Sequence, residues 1–127
     1  MFKILMIDDS KSVHAFVRSL LRERSDVSLT SVMHGQEALE KLAVDSAFDL
    51  VLLDWEMPVM DGPETLRRLV ALRLKAPVIM MTTKSAPNEI QAMLEAGAAE
   101  YIMKPFTVDI LLEKMSFVTG GDFKNVA

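Results

Sequence analysis

Residues 50–70 read Leu-Val-Leu-Leu-Asp-Trp-Glu-Met-Pro-Val-Met-Asp-Gly-Pro-Glu-Thr-Leu-Arg-Arg-Leu-Val. The opening run, Leu50–Leu53, is short and continuously apolar, as expected of a strand buried on both faces of a parallel sheet. It stops at Asp54. Asp61-Gly62 is a common turn pair, and Pro63 suits the first turn of a helix. Leu66, Leu69 and Val70 then recur at three- and four-residue spacing, which gives a helix one apolar face. The stretch therefore reads as one unit: a strand, a loop that begins with acids, and a helix.

The same grammar repeats on either side. Lys3–Ile7, Val78–Met81 and Tyr101–Met103 are further apolar runs, while Ser28–Val32 alternates and reads as an edge strand. Between them, Val13, Phe16, Val17, Leu20 and Leu21 mark one helix, and Ala38, Leu39 and Leu42 a second. Ile90, Met93 and Leu94 mark another, with Gly97 placed to end it. Leu111, Leu112 and Met115 mark the last, with Thr107 as its N-cap. Five strand–helix units in series predict a doubly wound α/β fold, a parallel sheet with helices on both faces and right-handed crossovers.

Composition narrows the function. The chain has 127 residues, the size of one domain. We expect that domain over 1–119 and a short tail over 120–127. There is no cysteine, which excludes disulfides and cysteine–zinc sites. No run of 18 apolar residues is present, so no membrane span is expected. The N-terminal apolar stretch is short and closed by acids, a strand rather than a signal peptide. A net charge of −4 argues against direct nucleic-acid binding. Arg67, Arg68, Arg73 and Lys75 form the one basic cluster, which reads as a solvated helix face.

In a parallel sheet of this kind, ligands bind beyond the carboxyl ends of the strands. The first strand ends in Asp8-Asp9, the third in Asp54, the fourth in Thr82-Thr83 and the fifth in Lys104-Pro105. Taken singly these are a solvated loop, a turn cap, a β-branched strand residue and a surface lysine. Taken together they set three carboxylates, a hydroxyl and an ammonium at one edge. Three converging carboxylates repel, which raises at least one pKa. Mg²⁺ relieves that repulsion and takes one or two carboxylates plus a phosphoryl oxygen. An ammonium and a hydroxyl can hold further phosphoryl oxygens. A carboxylate is itself a recognised phosphoryl acceptor.

On these residues the chain resembles the response-regulator receiver domain, in its single-domain, CheY-like form. The matching pieces are Ile7-Asp8-Asp9-Ser10, Leu53–Gly62, Met80-Met81-Thr82, Ala96-Gly97-Ala98 and Tyr101–Phe106. The resemblance implies a flavodoxin-like sheet of order 2-1-3-4-5. It implies that Asp54 is the phospho-acceptor and that Mg²⁺ is held by Asp9, Asp54, the Glu56 backbone carbonyl and, through water, Asp8. Lys104 and Thr82 would then contact the phosphoryl group, with Thr82 and Tyr101 as the switch pair. A cis Lys104–Pro105 bond is expected. The responding face would run from Ser85 at the start of the fourth helix to Tyr101, Met103 and Lys114. The implied partners are a sensor histidine kinase or histidine phosphotransfer protein and a downstream protein, in a chemotaxis pathway or another. A cytoplasmic monomer is expected.

Glu56, Thr83 and Lys84 depart from the single-domain prototype, which bears on phosphoryl lifetime and partner choice. Glu56 and Lys84 are expected to pair across the mouth of the site. Glu56 also keeps open a Mg²⁺-dependent aspartyl phosphatase, which needs an acid two residues after its nucleophile. A flavin or nucleotide binder lacks its phosphate loop here, since no G-x-G-x-x-G or P-loop pattern occurs. Within the receiver reading, a stand-alone regulator, a phosphorelay intermediate and a piece of a longer regulator all remain open.

Overall fold

A computed structural model describes residues 1–123. The last part of the expected tail, residues 124–127, lies outside the described residues. The elements alternate in chain order. They are β1 (Phe2–Ile7), α1 (Lys11–Leu20), β2 (Val27–Val32), α2 (Gly35–Val44), β3 (Leu50–Asp54), α3 (Gly62–Ala71), β4 (Val78–Thr82), α4 (Pro87–Ala96), β5 (Glu100–Met103) and α5 (Val108–Thr119). The five strands form one parallel sheet of order β2-β1-β3-β4-β5. The expected fold, strand order and edge position of β2 are all present. The strands run a residue or so beyond their apolar runs, so that Asp54 and Thr82 are last in β3 and β4.

Local chemistry places the helix starts. Ser10, His34, Asp61 and Thr107 accept main-chain N–H bonds as N-caps of α1, α2, α3 and α5. Asp61, which the sequence offers as a turn residue, is thus the α3 cap. Proline sits in the first turns of α3 and α4. Gly97, at φ 123°, ends α4 as expected. Gly62 allows α3 to start hard against the end of β3. A Cβ there would lie 2.5 Å from the Asp54 carbonyl oxygen.

Strand alternation divides the core in two. Leu5, Ile7, Val51, Leu53, Val78 and Met80 face α2, α3 and α4 through Ala38, Leu42, Leu66, Leu69 and Met93. Ile4, Met6, Leu50, Leu52, Ile79, Met81 and Ile102 face α1 and α5 through Val17, Leu111, Leu112 and Met115. Each fully buried Leu or Ile side chain contributes roughly 1.5–3 kcal/mol relative to exposure. Three residues of the expected apolar helix faces are less buried than their spacing implies. Phe16, Val70 and Leu94 lie at the rims of their helices, and Phe16 finds its cover edge-on against Phe106. In the basic cluster, Arg67 and Arg68 share Glu64 on α3, whereas Arg73 and Lys75 lie past the end of that helix. No helix of the described residues is long and apolar enough to cross a membrane.

Candidate functional site

The parallel register converts sequence positions into a site. Ile7 pairs with Leu53, so Asp8 and Asp54 follow at the same level on neighbouring strands. Thr82 pairs with Met103, and Lys104 follows it. Because β4 separates β5 from β3, Lys104 must reach across the end of β4 to meet the acids. Its long stem does so: Nζ lies 2.7 Å from Asp54 Oδ1 and 3.2 Å from Asp8 Oδ2. The Lys104–Pro105 bond is cis, as expected.

Asp8 and Asp54 are buried, and Asp9 is exposed. Oxygen atoms of the three lie within 4.8 Å of one another, a donor set able to hold a metal ion. An all-oxygen set of this size suits a hard cation such as Mg²⁺. The Asp54 carboxyl is pushed up to about 6. Burial is the main cause, the charges of Asp8 and Asp9 add to it, and Lys104 opposes it. Repulsion among the acids, the cause inferred from sequence, is thus present but secondary. Burial would lower the Lys104 ammonium. The hydrogen bond to Asp54 and the charges of Asp54 and Asp8 outweigh it, and its pKa stands raised.

Thr82 is buried, and its hydroxyl oxygen accepts the Lys84 main-chain N–H at 2.8 Å, which leaves its proton available to a further acceptor. Tyr101 is half-buried and packs with the core on the α2–α3–α4 face. It pairs with Met80, two residues before Thr82, so alternation puts Thr82 and Tyr101 on the same side of the sheet. The Lys114 ammonium lies 5.0 Å from the Tyr101 ring centre and 3.4 Å from Glu100 Oε2. Site and switch candidates are therefore adjacent.

Two clefts open above the acids. One, of about 490 Å³, is lined by Asp9, Trp55, Glu56, Met57, Pro58, Asp61 and Lys84. A smaller one, of about 180 Å³, joins Asp54 and Glu56 to Thr82, Thr83 and Lys104. The larger cavity of about 900 Å³ between α2 and α3 holds no converging acids, so volume alone does not locate the chemistry. At the mouth, Lys84 Nζ lies 3.7 Å from Glu56 Oε1, the expected pair. It also lies 3.6 Å from Glu89 Oε2 and 5.8 Å above the Trp55 ring, contacts the sequence did not disclose. Thr83 is exposed at the same rim.

Sequence reasoning missed the support beneath the acids. Asp8 Oδ1 accepts the Ser10 N–H at 2.9 Å, and His14 Nε2 lies 2.7 Å from the Asp8 carbonyl oxygen. The one available signal was a polar ring on an otherwise apolar helix face, between Val13 and Val17.

Comparison with known proteins gives the arrangement its relatives. The family model for the response regulator receiver domain matches residues 4–116. The chain is 35% identical over 120 residues to chemotaxis protein CheY1 of Helicobacter pylori, covering 93% of this chain and 97% of that protein. It is 32% identical over 120 residues to the chemotaxis protein CheY homolog of Campylobacter jejuni, covering 93% of this chain and 92% of the relative. Among solved structures, Vibrio cholerae chemotaxis protein CheY4 matches with a TM-score of 0.85 at 31% identity, over 93% of this chain and 98% of that one.

Proposed function

This chain belongs to the family of response regulator receiver domains, and we propose that it works by accepting a phosphoryl group on Asp54. The donor is a phosphohistidine on a sensor kinase or phosphotransfer protein. A carboxylate oxygen of Asp54 bonds to phosphorus as the phosphorus–nitrogen bond breaks, and the histidine keeps the electron pair of that bond. The observation that carries this reading is the single Lys104 ammonium bridging Asp54 and Asp8, beside a third acid.

Asp9, Asp54 and the Glu56 carbonyl would hold Mg²⁺, with Asp8 acting through water. When bound, the ion neutralises charge between the carboxylates and the phosphoryl oxygens. Lys104 already sits on Asp54 and needs only a small shift to pair with a phosphoryl oxygen. Thr82 turns its free proton toward another. That turn withdraws the hydroxyl from the Lys84 N–H and opens room for Tyr101 on the same side of the sheet. The surface that responds runs from Ser85, which lies in the loop just before α4 and not at its start, over α4, β5 and α5, including Met103 and Lys114, and it is there that a downstream protein binds. This reading carries with it a cytoplasmic location and a monomeric resting state. The relatives are named chemotaxis proteins, which makes chemotaxis the pathway this reading favours.

The test is intact-mass analysis after treatment with acetyl phosphate. One phosphoryl group is expected with Mg²⁺, none without it and none in Asp54→Asn. Equal labelling of Asp54→Asn removes the assignment. Steady turnover of a phosphate ester would instead favour an aspartyl phosphatase. The structure does not favour that reading, because the Glu56 side chain is exposed and engaged with Lys84.

A further inference from the structure

We propose that His14 is a positioning residue for the metal site, whose Nε2–H clamps the main-chain carbonyl of Asp8 and thereby sets the direction of Asp9. The inference rests on the function proposed above and adds to it a group that touches neither metal nor phosphoryl.

Asp8 is held at every polar atom. Its N–H donates to Val32 O at 3.2 Å, Oδ1 accepts from Ser10 N, and Oδ2 accepts from Lys104. The remaining atom, the carbonyl oxygen, meets His14 Nε2 at 2.7 Å. A carbonyl only accepts, so Nε2 must carry the proton. His14 is rigidly placed to do this. It is 6% exposed, in the first turns of α1, and its own N–H donates to Ser10 O at 3.2 Å. Ser10 Oγ in turn caps the helix at Val13 N. The segment from 8 to 14 is thus a closed set of hydrogen bonds running from α1 back onto the end of β1.

Asp9 has no such set. It is exposed, and among the described residues its carboxylate accepts no hydrogen bond. Its placement comes from the peptide before it. The Asp8 carbonyl and the Asp9 N–H share one planar unit, so the group that fixes that carbonyl also fixes where the Asp9 side chain leaves the chain. Rotation of this peptide would swing Asp9 away from Asp54.

The second nitrogen of the ring gives independent support. His14 Nδ1 is buried and has no hydrogen-bond partner among the described residues. Buried polar atoms without partners are rare. An apolar side chain would fill the same space without leaving one. Of the two ring nitrogens, only Nε2 makes a bond, and that bond is to the site.

The test compares His14→Phe, which keeps a ring and loses the donor, with His14→Gln, whose amide can donate to the same carbonyl. Mg²⁺ alone is titrated against Trp55 fluorescence, and the thermal midpoint is read in metal-free buffer. Groups that orient metal ligands typically change affinity by about 10–100-fold. His14→Phe should weaken Mg²⁺ binding by about tenfold or more, beyond any change in its metal-free midpoint, and His14→Gln should recover most of the loss. Equal Mg²⁺ affinity in His14→Phe and wild type overturns the proposal. A wild-type protein that ignores Mg²⁺ overturns the proposed function itself, a distinct result. Should His14→Phe not fold, ring ¹⁵N shifts of the wild type decide. A proton on Nε2 with coupling to the Asp8 carbonyl supports the clamp, and a proton on Nδ1 overturns it.

Discussion

The Lys104 ammonium sits 2.7 Å from Asp54 and 3.2 Å from Asp8, so one cation bridges two buried carboxylates at the ends of neighbouring strands. Even with that partner, burial holds the Asp54 carboxyl up at about 6, against an ordinary value of 3.8. Protonated Asp54 cannot serve a metal, and ligation displaces its proton. Mg²⁺ affinity should therefore fall as pH drops through about 6. In metal-free protein the sign for stability is opposite. An acid whose folded pKa is raised contributes stability that is full below 3.8 and lost as pH rises through about 6. At neutral pH, metal-free Asp54→Asn should be more stable than wild type, by up to about 3 kcal/mol. Denaturant unfolding in the presence of a chelator measures this, and a less stable variant contradicts it.

Removing the cation should move the acid further. In Lys104→Met both carboxylates lose their cation while burial persists. The Asp54 titration, followed by carboxyl ¹³C shifts, should then rise above the wild-type value of about 6. An unchanged midpoint would show that Lys104 contributes nothing to the Asp54 equilibrium.

Thr82 and Tyr101 share one side of the sheet two positions apart in register, which gives the proposed switch a direct route. Beryllofluoride with Mg²⁺ should shift backbone NMR signals from Asp54 out to Tyr101 and Lys114 in wild type. In Thr82→Ala the shifts should stay near Asp54. The same spread in both proteins would remove Thr82 as the relay.

Lys84 divides itself between an exposed Glu56 at 3.7 Å and a partly exposed Glu89 at 3.6 Å. Such pairs contribute at most about 1 kcal/mol to stability, so their effect is expected in the lifetime of the phosphoryl group. Half-lives should change in Glu56→Ala and in Lys84→Ala, with a non-additive double variant. Strictly additive effects would exclude pairing at the mouth.

Val59, fully exposed in the loop over the site, has φ 68°, a conformation that a β-branched residue adopts at a cost. Asparagine tolerates that region far better. Val59→Asn should raise stability by about 0.5–1 kcal/mol with little effect on Mg²⁺ binding. Destabilisation in a chemical denaturation series would show that the Val59 side chain has a partner.

The sequence by itself determined the architecture, because periodicity is a local property. Leu50–Leu53 and its four companion runs declare strands, and Thr107 and Gly97 declare helix ends, from neighbours a few residues away. It also named Asp8, Asp9, Asp54, Thr82 and Lys104, since each stands at the end of an apolar run and the parallel order carries all those ends to one edge. Tertiary structure decided the rest. Which helices cover which face follows from strand alternation seen across the whole sheet. Whether Lys104 reaches two acids at once depends on the register of four strands and the length of one side chain. The raised Asp54 carboxyl depends on how deeply β3 ends, because burial outweighs the neighbouring charges there. Most plainly, the His14 ring is an ordinary helix residue in the sequence. It acquires its contact with Asp8 only where α1 folds back over the end of β1, since a hydrogen bond needs two atoms brought within about 3 Å, and no pattern along the chain encodes that distance.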